Sequence, residues 1–310
     1  MTTPKLVIAG ASGVVGRHLI EAAKDRYDIT ILTRKVDDSD PPNTTPVAWN
    51  PSAAKEGDEA GLDAVAQVLN GAAALVNLAG ASIDGGRLDA AHRRRVLNSR
   101  VQSTATLVAA FGRAAAPPPA WFNASAVGYY GDRGDEVLVE TSAPQPDFFL
   151  SQVAQAWEAA AQPVASRTRL TLGRIGLVLA KDAPAWQKLV QPVKFLAGGP
   201  LGSGRQWYAW IDADDLAKAI LFLLSSEAEG VYNLTAPNPV RQLTLTQHAA
   251  KKLGRPAVTP APAFALRLIL GDLADALLLA STRAVPSRLE AQDFTFDNPT
   301  LEQEMNKLFG

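Results

Sequence analysis

The chain has 310 residues, 47% of them hydrophobic and 20% charged, a balance that excludes a disordered or fibrous chain and is long enough for one large α/β unit or a nucleotide-binding domain with a smaller second lobe. Its 30 Lys+Arg against 31 Asp+Glu leave a net charge of −1, so no global field draws nucleic acid or an anionic membrane, and a small-molecule partner is expected. The absence of cysteine removes disulfides, thiolate nucleophiles and thiolate metal sites; with only His18, His92 and His248 as imidazoles, no metal centre is expected.

The opening MTTPKLVIAG lacks the charged head, apolar stretch and cleavage site of a signal peptide, and a cytoplasmic location is expected. KLVIA (5–9) reads as a buried strand, and VVGRHLIEAAKD after it has apolar positions at helical spacing. YDITILTRK is a second strand, DDSDPPNTTP a loop, and AAALVNLAG a third strand of the continuous apolar kind found in parallel sheets. The helical stretch from Leu88 ends at APPPA, AWFNASAV is a strand, DFFLSQVAQAWEAAA a helix and TRLTLGRIGLVL a strand. This alternation predicts a doubly wound parallel sheet, the Rossmann arrangement, with a smaller C-terminal substrate lobe. Residues 1–175 are assigned to the nucleotide-binding domain, with 208–228 returning to it; 176–207 and 229–310 are assigned to the lobe. PAFALRLILGDLADALLLA is interrupted by Arg267, Asp272 and Asp275, which excludes a membrane span and predicts packed helices. Monomer and homodimer are both open.

The turn between first strand and first helix carries Gly10, Gly13 and Gly16 in a GxxGxxG pattern. Glycine permits a sharp turn and close approach of a pyrophosphate, and the helix N-terminus offers amide donors and a positive dipole end. Ser12, Val14 and Val15 complete this cradle. NAD sites place a carboxylate at the end of the second strand for the ribose hydroxyl, whereas NADP sites place a cation for the 2′-phosphate. Here that strand ends Thr33, Arg34, Lys35, and the cofactor expected is NADP.

GASGVVG, VNLAGASI, NSRVQST, SAVGYYGDRG, LGRIGLVL, GGPLGSGRQWYAWI and YNLTAPNPVR, in this order, resemble the epimerase-family proteins of the atypical extended short-chain dehydrogenase/reductase group. The resemblance runs over nearly the whole chain. It implies further NADP contacts from Leu78, Ala79, Gly80 and Arg100. Arg95 stands where that pattern carries an acid and Asp212 where it carries histidine, so no role is transferred to either.

Hydride transfer in this superfamily uses a serine or threonine at the substrate oxygen and a tyrosine in Tyr-x-x-x-Lys as proton donor or acceptor. Ser125, which also borders the cofactor, fits the first role. The matching helix places Phe148 and Gln152 at the tyrosine and lysine positions, with Gln152 counted among the cofactor contacts. Two readings stay open. Tyr129 or Tyr130, or Tyr208 in WYAW, supplies the proton in a reductase or epimerase-like enzyme acting on a small carbonyl or sugar-like substrate; or the chain binds NADP(H) without turnover and senses its redox state. Arg205 and Trp207 are candidate substrate contacts, Asn233 a loop-fixing residue, and Asp212, Asp214 and Asp215 a helix cap rather than a metal site.

Overall fold

The computed structural model describes residues 3–37 and 40–310; residues 38 and 39, within the stretch read as loop, and residues 1 and 2 lie outside the described residues. Seven parallel strands form the central sheet: β1 Lys5–Ala9, β2 Asp28–Thr33, β3 Thr45–Ala48, β4 Ala74–Asn77, β5 Ala120–Ala126, β6 Arg169–Ile175 and β7 Gly230–Leu234. Their spatial order is β3-β2-β1-β4-β5-β6-β7. The order reverses between β1 and β4, the switch point at which open α/β sheets bind ligands.

Strand alternation explains how both faces are covered. Leu6 and Ile8 of β1 enter one core with Leu19 and Ile20 of α1 (Val14–Ala23), while Val7 and Ala9 enter the other with Leu69, Leu107 and Phe111. The second core is closed by α2 (Glu59–Leu69), α3 (Ala90–Arg113) and the neighbouring α4 (Phe149–Ala161). A later helix, α6 (Ala213–Ser225), lies beside α1.

The lobe has its own core, in which α5 (Pro184–Lys194), α7 (Gln242–Leu253) and the terminal helix α9 (Leu301–Phe309) surround Trp186, Trp210, Leu245 and Met305. Two sequence boundaries move. Residues 230–234, assigned above to the lobe, form the last strand of the main sheet, and β3 begins at Thr45, within the stretch read as loop. Of PAFALRLILGDLADALLLA, expected to form packed helices, Leu273 and Ala274 are buried, whereas α8 (Ala263–Leu270) contains no buried residue.

Candidate active site

The three glycines of the first turn answer to different demands. Gly10 has φ +86°, and a Cβ there would lie 2.6 Å from the Leu78 carbonyl carbon; at Gly16 a Cβ would lie 2.4 Å from the Ala11 oxygen. Both are required by the fold. At Gly13 φ is −72°, and a Cβ would meet only the Gly10 oxygen at 3.6 Å. Nothing inside the protein therefore requires glycine at position 13.

Gly13 is the N-cap of α1, with no side-chain cap and no acid in the first turn, whereas Asp58, Asp89 and Asp212 cap α2, α3 and α6. The first-turn amides of α1 are thus offered outward with the positive end of the dipole. Gly10, Gly13, Val14, Val15, Gly16, Leu78, Arg100 and Ser125 line one cleft of about 510 Å³ at the switch point.

Arg100, on α3, reaches the cleft floor beside Gly80, where a Cβ would crowd its guanidinium at 3.1 Å. It donates to the backbone oxygens of Ala81 and Val96, both at 3.0 Å, and lies 5.0 Å above the Trp157 ring. No carboxylate pairs with it among the described residues, and burial brings its pKa down to about 10. A half-buried cation without a carboxylate partner among the described residues suits a site for an anion. Thr33 turns its hydroxyl to the Lys35 oxygen at 2.9 Å, and Arg34 is exposed at the end of β2. Ser12, Ala79 and Gly80 border the cleft without lining it.

Behind the cleft is a buried polar network that the motifs did not reveal. Ser125 Oγ donates to Glu158 Oε1 at 2.7 Å; Glu158 is held at both oxygens by Arg174, from Nε at 2.8 Å and Nη2 at 3.0 Å. Arg174 Nη1 donates to the Tyr130 hydroxyl at 3.0 Å, which donates in turn to Asn233 Oδ1 at 2.7 Å. Burial opposes the Arg174 charge, but the Glu158 carboxylate outweighs it and holds the guanidinium pKa above its ordinary range.

Tyr130 has no exposed surface, and burial pushes its pKa up to about 12 against the pull of Arg174. Tyr129 lies flat under the Arg174 guanidinium, 3.3 Å from ring centre to Cζ. Neither tyrosine lines the cleft. Tyr208 does, but its hydroxyl donates to the Leu278 oxygen at 2.8 Å and burial raises its pKa. Gln152 is exposed, with its carboxamide on the Pro146 oxygen at 2.9 Å. The face of α4 that meets the cleft is instead apolar: Leu150, Val153, Ala154 and Trp157. Phe148 and Gln152 are not among these lining residues.

At the far lip Trp207 is held between the Arg241 and Arg283 guanidiniums, at 4.1 and 4.4 Å, while its Nε1 and Arg241 both reach Asp135. Arg205 is exposed beside it. Asn233 is wholly buried and donates to the Val285 oxygen at 2.9 Å. Asp212 caps α6 by accepting from the amides of Asp214 and Asp215, and Asp215 accepts from the amides of Asp297 and Asn298.

A parallel sheet in this order, with a glycine turn and an uncapped helix at its switch point, defines an extended short-chain dehydrogenase/reductase with a site for a nicotinamide dinucleotide. The chain belongs to the NAD dependent epimerase/dehydratase family, whose profile matches residues 6–235; a domain of unknown function, DUF1731, matches 261–307. An epimerase family protein of Staphylococcus haemolyticus is 36% identical over 301 residues, 96% of each chain. The crystal structure of the human epimerase family protein SDR39U1 with NADPH superposes with TM-score 0.86 at 28% identity, covering 98% of both chains. A nucleoside-diphosphate sugar epimerase from Corynebacterium glutamicum gives TM-score 0.76 at 27% identity, over 99% of this chain and 59% of that one.

Proposed function

We propose that the protein is an NADP(H)-dependent oxidoreductase in which Ser125, rather than a tyrosine, exchanges the proton with a small carbonyl or sugar-like substrate. The observation that carries this reading is the convergence on one cleft of a turn open to an external group at Gly13, an unpaired cation at Arg100 and a serine backed by a carboxylate. The α1 amides and Arg100 would hold the cofactor's anionic groups, and Arg34 its 2′-phosphate; the relative solved with NADPH has the same fold over its full length.

NADP(H) supplies the hydride or takes it up. In the oxidising direction Ser125 Oγ accepts the proton of the substrate hydroxyl as it passes its own to Glu158 Oε1, and in the reducing direction both transfers run backwards. Arg174 fixes Glu158 in place, and Trp157, Leu150 and Val153 keep water from the reacting atoms. The apolar cleft face of α4 also favours a second reading, binding without turnover, since it offers no tyrosine and no lysine.

One assay separates them: NADPH absorbance followed over a panel of carbonyl compounds and nucleotide sugars, beside a binding titration. Oxidation by the parent that falls roughly 10²–10⁴-fold in Ser125→Ala, with NADPH affinity retained, supports the enzyme. Binding with no turnover across the panel supports the second reading. Turnover unchanged in Ser125→Ala overturns the proton route.

A further inference from the structure

We infer that the C-terminal lobe docks on an anionic lipid surface through one apolar and basic face. α8 follows a segment that is hydrogen-bonded along the loop after α5: Thr259 N donates to the Gly198 oxygen at 3.0 Å and Ala261 N to the Pro200 oxygen at 2.9 Å. The Thr259 hydroxyl also donates to the Leu196 oxygen at 3.3 Å. These bonds place Phe195 and Leu196 beside Val258, with Phe264, Leu268 and Ile269 a turn or two further along α8.

All six are exposed, five of them by 69–78%, and they outnumber the three other large apolar residues exposed among the described residues. Soluble surfaces seldom gather that much apolar area without a partner. The helix carries apolar residues on its outer face as well as on its half-covered one, where a solvated helix carries polar groups.

The charge pattern selects the partner. Residues 183–211 and 230–271, which carry this face, contain eight lysines and arginines and no aspartate or glutamate, in a chain whose net charge is −1; three of the eight, Lys188, Arg241 and Arg267, pair with Asp84, Asp135 and Asp275 outside these stretches. Lys194 adjoins Phe195; Lys251 and Arg255 flank the end of α7 just before Val258; none of the three pairs with a carboxylate among the described residues. Exposed aromatic and aliphatic side chains, with Lys194, Lys251 and Arg255 close to them along the chain, match a surface of anionic headgroups over acyl chains. No helix among the described residues is long and apolar enough to cross a membrane, so the contact is peripheral. The small net charge that argued above against a membrane conceals this segregation. Leu277, 37% exposed, lies in the cleft wall a few residues beyond α8, so the cleft opens beside the docking face.

The test is co-sedimentation of the full chain with vesicles of phosphatidylglycerol mixed with phosphatidylcholine, against phosphatidylcholine alone. At low salt the parent should partition at least about tenfold more to the anionic vesicles, and high salt should reduce this. Phe264→Glu with Leu268→Glu should abolish binding with circular dichroism and NADPH affinity unchanged, because neither side chain is part of a core. Lys251→Glu with Arg255→Glu should weaken it independently. A parent that stays in solution with anionic vesicles at low salt overturns the inference. So does a parent dimer that Phe264→Glu with Leu268→Glu converts to monomer, since a second copy would then own the face.

Discussion

Gly13 and Gly16 stand three residues apart in one turn, yet replacing them should do opposite things. Gly13→Ala has room and an ordinary backbone angle, so stability should stay within about 0.5 kcal/mol of the parent while NADPH affinity falls. Gly16→Ala drives its Cβ into the Ala11 carbonyl and should cost roughly 1–3 kcal/mol, with a lowered Tm. Thermal melts and binding titrations of both variants check the pair. Arg34 is the other residue whose role turns on ligand rather than fold. It is exposed at the end of β2, so Arg34→Ala should leave Tm unchanged and remove most of a roughly ten- to hundredfold preference for NADPH over NADH.

Ser125, at the end of β5, Glu158 on α4 and Arg174 on β6 join three elements through side chains that are all but buried. Removing one member of a buried ion pair leaves the other uncompensated, so Glu158→Ala should destabilise the protein by about 3–5 kcal/mol. Glu158→Leu combined with Arg174→Met should recover much of that loss, as denaturant unfolding would show. The glycine turn was legible because its signal is local: a strand, three glycines and a helix in a dozen residues. The network was not, because Glu158 and Arg174, at its centre, are 16 residues apart and each looks like an isolated charge. A hint was present in the chain, for Glu158 interrupts AWEAAA and Arg174 interrupts LTLGRIGL. A charge inside an apolar run must find a partner if the run is buried. Phe148 and Gln152, matched in the sequence to the tyrosine and lysine positions, do not line the cleft; the face of α4 turned to it carries Leu150, Val153, Ala154 and Trp157.

At the scale of the whole molecule, the terminal helix α9 ties the lobe to the nucleotide-binding half. Lys307 donates to Asp212 and Asp214, both at 2.6 Å, and Asp214 is bonded to His18 of α1. Between these groups Glu304 is wholly buried, and burial, helped by the charge of Asp212 and a hydrogen bond that protonated Glu304 donates to it, pushes its pKa up to about 9. An unfolded chain releases that proton near pH 4.5. Its contribution to stability is therefore complete below that pH and declines as pH rises towards about 9, by up to about 1.4 kcal/mol per unit. Glu304→Gln should flatten the decline of Tm over this range, and an unchanged profile would remove Glu304 as its cause. The doubly wound parallel sheet was legible from the βαβ rhythm, because crossovers in parallel sheets have little topological freedom. The place of the final strand was not, because Gly230–Leu234 comes after a long excursion through the lobe and only pairing with β6 returns it to the main sheet. The central claim, an NADP(H) site at the first turn, is tested most directly by calorimetric titration of the parent and Gly13→Asp with NADPH and NADH. The account predicts that the parent binds NADPH roughly ten- to a hundredfold more tightly than NADH, and that the folded variant binds neither. Equal affinity for both cofactors, or undiminished NADPH binding in the variant, would contradict it.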